Sequence, residues 1–81
     1  MKLLQASLRK PQQHNGEWIA ILRLQQDESG WFLLYCRIDG TSVFDNWFET
    51  AEAAVRWAVR SYPEEKLEWL DCPPRPGLRS D

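Results

Sequence analysis

The chain predicts an α+β fold: a three- to four-stranded antiparallel meander with one helix packed on one face, in the order ββββα, with a possible short strand at the C-terminal end. Three observations predict it. Two runs, EWIAILRLQ at 17–25 and WFLLYCRI at 31–38, are rich in Ile, Leu and aromatics and are bounded by the turn-forming stretches QHNG, QDESG and DG. An Asp39-Gly40 pair follows the second run, a strong short-range hairpin signal because a type I′ turn needs positive φ at both positions. An alanine-rich segment then carries apolar residues at helical spacing.

Taken in order, residues 3–9 alternate loosely and predict a first strand that Pro11 should end, since proline has no N–H to give a ladder. Residues 17–25 and 31–38 predict two central strands. The turn at Asp39-Gly40 sends residues 41–48 back antiparallel to 31–38. Thr50 is placed to cap a helix over 51–61, Glu52 adds negative charge to its first turn, and Pro63 closes it. Ala51, Ala54, Val55, Ala58 and Tyr62 form its apolar stripe, with Trp57 and Val59 at the margins. Small alanines let a helix sit close to a sheet. Residues 66–70 predict a short last strand or a segment lying over the sheet. Residues 1–71 therefore read as a single domain and 72–81, CPPRPGLRSD, as a proline-rich irregular tail.

The assignment of faces follows from a pairing in which Trp18, Ala20, Leu22 and Leu24 share a side with Phe32, Leu34, Cys36 and Ile38. Leu4, Ala6 and Leu8 join that side if the first loop spans about six residues. Val43 and Trp47 fall there too, and so does Asp45, a poor core residue. The opposite face would hold Ile19, Ile21, Trp31, Leu33, Tyr35, Phe44 and Phe48, with Arg23 and Arg37 at its margin. Antiparallel sheets with one wet face normally show polar residues there, and this one would not. Leaving a few hundred Å² of aromatic surface in water forgoes several kcal/mol at about 25 cal/mol per Å², comparable with the whole stability of a small domain. One helix covers one face, so the other is expected to meet the segment around Trp69, a second copy of the chain or another protein.

Composition narrows the function. Eighty-one residues make one domain, and chains of this size bury only about 60% of their unfolded surface. The net charge of −2 supplies no field that would draw the chain to a polyanion. The N-terminal stretch MKLLQASLRKP breaks its apolar run at Gln5, too early for a signal-peptide core or a membrane span, which points to a cytoplasmic protein and no membrane partner. Two cysteines and one histidine fall short of a four-ligand zinc set, so no metal and no cofactor are expected. Cys36 and His14 are the one thiol and imidazole pairing, but Cys36 reads as a buried strand residue and His14 as a turn residue. Asp45 and Glu49 offer carboxylates without a cleft, and no enzyme is expected.

The junction WFETAEAAVRWA, residues 47–58, resembles the hairpin-to-helix junction of three-stranded, one-helix DNA-binding modules, among them the arm-binding domains of phage-type integrases. An aromatic, a Thr cap and an Ala-rich helix carry the resemblance, which implies the meander-plus-helix architecture. The arginine-rich strands with which those modules read DNA are missing.

The sequence thus predicts a small non-enzymatic interaction module, a regulatory or accessory subunit whose partner is another protein or itself. Its partner-binding residues would be Trp31, Leu33, Tyr35, Phe44 and Phe48, rimmed by Arg23 and Arg37, a composition typical of interface hot spots. The alternative is a nucleic-acid-binding domain in which the same arginines and rings would stack bases.

Overall fold

The computed structural model describes residues 2–72. β1 (Leu3–His14), β2 (Glu17–Gln26), β3 (Trp31–Cys36) and β4 (Ser42–Phe48) form the meander, α1 (Ala51–Ser61) follows, and β5 (Leu70–Asp71) returns to the sheet. All pairings are antiparallel, and the sheet order is β4-β3-β2-β1-β5. The α+β prediction holds, with the fourth and the C-terminal strand both present. The proline-rich stretch after Cys72 lies outside the described residues.

β1 runs past Pro11 instead of ending before it. Its register on β2 jumps from Ser7↔Ile21 to Gln12↔Ile19, so Pro11 sits in an irregular stretch where no ladder donor is required. The expected six-residue first loop is a two-residue turn, Asn15-Gly16, with φ of 51° and 84°. The type I′ signature is therefore met at Asn15-Gly16. Asp39-Gly40 lies in a longer β3–β4 loop in which only Gly40 has positive φ, at 92°. There the Arg37 N–H donates to the Thr41 carbonyl and Asp39 Oδ1 accepts from the Thr41 N–H.

The pairing of β2 with β3 differs by one residue from the sequence expectation, and this changes both faces. Leu22 lies opposite Tyr35 and Leu24 opposite Leu33. A four-residue loop, 27–30, closes on the Gln26↔Trp31 pair, and loop length sets hairpin register. Asp27 Oδ1 accepts from the N–H groups of Ser29 and Gly30, both at 2.8 Å. Gly30 itself is required by contact: a Cβ there would lie 2.5 Å from the Phe48 carbonyl oxygen and 2.7 Å from the Trp47 ring.

The core accordingly joins Leu22 and Leu24 to Leu33 and Tyr35, with Ile19, Leu8, Ala54, Ala58 and Tyr62, and Trp31, Phe44 and Phe48 packed at its border. Asp45, which the earlier pairing would have placed in the core, is exposed on the other side of the sheet. The helix begins as expected: Thr50 is extended at φ −131°, ψ 156°, and its Oγ1 accepts from the Ala53 N–H at 3.1 Å. Ala54 and Ala58 are fully buried, which permits the close helix-to-sheet approach. Trp57 leans inward, its Nε1–H donating to the Tyr35 hydroxyl at 3.0 Å, while that hydroxyl donates to Asn46 Oδ1 at 2.8 Å.

After Tyr62 the chain turns and runs beside β1. Leu67 and Trp69 pack on the core border, so this segment seals the open side of the same layer that α1 covers. Glu65 fastens it: its carboxylate accepts from the Arg9 and Lys10 backbone N–H groups in the irregular stretch of β1. Pairing as a strand is limited to Leu70–Asp71, shorter than the 66–70 run expected, and the Cys72 N–H adds a bond to the Leu3 carbonyl.

Candidate interaction surface

Residues directly opposite each other in antiparallel strands point to the same side, so pairing defines the face that carries no helix. One row runs Asp45, Leu34, Arg23, Gln5 and Leu70 across β4, β3, β2, β1 and β5. The next holds Trp47, Phe32, Gln25 and Leu3, and the one on the other side holds Cys36, Ile21 and Ser7. Ile21, Phe32 and Leu34 are half-buried and Trp47 is 47% exposed. The β4-β3-β2 side of this face thus carries an apolar strip, whereas on the β1 and β5 side Leu3 and Leu70 are mixed with Gln5, Ser7 and charged side chains.

The β1 and β5 side forms a groove of about 990 Å³. Arg9, Arg23 and Lys66 line it together with Asp39, Glu68 and Asp71, a balanced set that creates no net field for a polyanion. Within it Arg23 Nε donates to Gln5 Oε1 at 3.0 Å and Nη1 to the Gly40 carbonyl at 3.4 Å. At the far end a second, mainly apolar cleft of about 430 Å³ lies between Pro11, Trp18, Ala20 and Ile38. Trp18 is 59% and Ile38 78% exposed, and the Glu17–Arg37 ion pair, 2.9 Å, stands at its rim.

The residues expected at a partner surface separate. Leu33 and Tyr35 are fully buried, and Trp31, Phe44 and Phe48 border the same core beneath α1, so these five belong to the side the chain covers itself. Arg23 is on the helix-free side, and Arg37 reaches back to Glu17. Phe32, Leu34 and Trp47, which the sequence reading placed in the core, take the open positions. The signal that finds them is the length of the 27–30 loop with its Asp27 side-chain turn, which sets β3 one residue over.

The chemically reactive side chains are kept apart. Cys36 is fully buried on the helix-free side, and burial pushes its thiol pKa up against the opposing pull of Arg23. His14 lies on the helix side, stacked on Tyr35 with ring centres 5.4 Å apart and edge-on to Phe44 at 5.2 Å. Burial likewise raises the Tyr35 hydroxyl pKa, partly offset by the bond from Trp57. Among the described residues no group of three or more His, Cys, Asp or Glu is placed to hold a metal ion. Among the described residues no helix is long and apolar enough to cross a membrane.

Fold and surface together define a small α+β domain: a five-stranded antiparallel sheet built on a four-stranded meander, one helix on one side, an apolar strip on the other. Compared with known protein families, with curated proteins and with solved structures, the chain matches none.

Proposed function

We propose that this chain is a non-enzymatic protein–protein interaction module, a small cytoplasmic accessory or regulatory subunit, and that it binds through the helix-free face of its sheet. The observation that carries this reading is the strip of Ile21, Phe32, Leu34 and Trp47 on a face where a one-sided antiparallel sheet presents polar side chains. Half-exposed aromatic and aliphatic side chains gathered over adjacent strands, with an arginine beside them, have the composition of a protein interface. Nucleic-acid binding has less support. Arg37 is paired with Glu17, and the adjoining groove is charge-balanced.

Site-specific photo-cross-linking in intact cells tests this function. A photoreactive residue in place of Phe32 or Trp47 is expected to give discrete protein adducts, while the same residue in place of Arg56 or Arg60 on the outer side of α1 gives none. Adducts equal at all four positions, or absent from all, would refute the proposal.

A further inference from the structure

We infer that the helix-free face is self-complementary and takes a second copy of this chain, with Arg23 of each copy set against Asp45 of the other. This rests on the interaction-module reading and names its partner.

Strand pairing puts Asp45, Leu34 and Arg23 in one row over β4, β3 and β2. Neighbouring strands lie about 4.8 Å apart, so the backbone positions of Asp45 and Arg23 flank Leu34 at similar distances on its two sides. Asp45 is exposed and has no ion pair among the described residues, and Arg23 has none either, its Nη2 making no hydrogen bond there. Two sheets that meet face to face through a two-fold have that axis in the plane between them. Two directions are open to it. An axis across the strands sets Arg23 over Arg23 and Asp45 over Asp45, two like-charge contacts. An axis along β3 exchanges the two sides of the row and makes two Arg23–Asp45 pairs instead. Leu34 then meets Leu34, Phe32 meets Phe32, and Trp47 falls over Gln25, an uncharged neighbour. Charge complementarity selects the second arrangement.

The extent of the strip sets the strength. Three strands by about six residues project to roughly 14 × 20 Å, which corresponds to about 1,000–1,200 Å² buried over both copies, the lower limit of specific interfaces. A reversible dimer of micromolar or weaker affinity follows. Both ion pairs lie at the edge of the strip, where charges govern register and partner choice more than raw affinity.

Sedimentation equilibrium of the full chain over low-micromolar to near-millimolar concentrations tests the inference. Wild type is expected to shift from monomer to dimer, and Asp45→Arg to weaken the dimer about tenfold or more through like-charge contact. Arg23→Asp should do the same, and the double exchange Arg23→Asp with Asp45→Arg should restore affinity to within a few-fold. Circular dichroism checks the folding of each variant. Asp45 is exposed on the edge strand, so Asp45→Arg decides the matter even where Arg23→Asp does not fold. A wild type that stays monomeric throughout, a dimer indifferent to Asp45→Arg, or a folded double exchange that fails to restore association overturns the inference. A monomer whose cross-linker at position 32 still captures a protein of different mass removes self-association and leaves the interaction-module reading standing. A monomer without adducts removes both.

Discussion

Glu65 ties the segment after the helix to the irregular stretch of β1, and its removal tests how that side of the core is closed. Its side chain is 4% exposed, and its carboxylate accepts from the Arg9 N–H at 2.7 Å and the Lys10 N–H at 3.3 Å, with the Arg9 guanidinium 3.7 Å away. A hydrogen bond to a charged group contributes about 1.5–3 kcal/mol net. Both amides border solvent, so water replaces part of what is lost and the longer bond counts for little. Glu65→Ala should therefore cost about 1–2 kcal/mol, which in a domain of this size lowers Tm by roughly 5–15 °C. Thermal unfolding followed by circular dichroism at neutral pH is the assay. The Arg9 N–H, aided by the Lys10 N–H and the Arg9 charge against some desolvation, holds the Glu65 carboxyl below its ordinary pKa. A carboxylate with a depressed folded pKa stabilises fully above its unfolded value, about 4.3, and that contribution fades as pH falls through the folded one. The difference between wild type and Glu65→Gln should accordingly shrink below about pH 4. Melting curves for Glu65→Ala that superimpose on wild type at pH 7, or a gap for Glu65→Gln that persists undiminished in acid, would refute the reasoning.

Three further substitutions probe the core and the two faces of the sheet. Leu33→Ala should cost about 2–5 kcal/mol and Leu34→Ala less than about half as much, because one cavity opens in a closed core and the other faces the open strip; chemical denaturation compares them, and equal losses would contradict the register. The Tyr62 hydroxyl is buried without a hydrogen-bond partner among the described residues, and burial, with Tyr35 adding to it, pushes its pKa up to about 12. Tyr62→Phe should thus leave stability unchanged or raise it by about 1 kcal/mol in urea unfolding, whereas a loss of that size would mean the hydroxyl has a partner.

The elements of the fold were legible in the chain because each rests on local chemistry. Thr50 caps the helix through a bond to a residue three positions away, and Ala54 and Ala58 make its close-packing side. The apolar runs of β2 and β3 are long enough to be strands whatever they pair with. The candidate surface was legible only in kind. That a single helix leaves one apolar face open follows from the residue count on the strands. Which residues occupy that face depends on a one-residue choice of register, and period-2 alternation cannot make that choice when both faces are apolar. Phe32 with Leu34 and Trp31 with Leu33 are equally greasy pairs, so the hydrophobic pattern scores both alignments alike.

The amino-acid order by itself determined four meander strands, a capped alanine helix, the absence of net positive charge and more apolar sheet surface than one helix hides. The tertiary structure decided that the 27–30 loop turns Trp31, Leu33 and Tyr35 toward α1 and leaves Phe32, Leu34 and Trp47 outward. It also decided that Glu65 and Trp69 seal the helix side by way of β1. The physical reason is that strand formation is a property of a segment. Register and coverage are properties of contacts between segments far apart in the chain, where loop geometry and close approaches such as Gly30 against Phe48 outweigh local pattern.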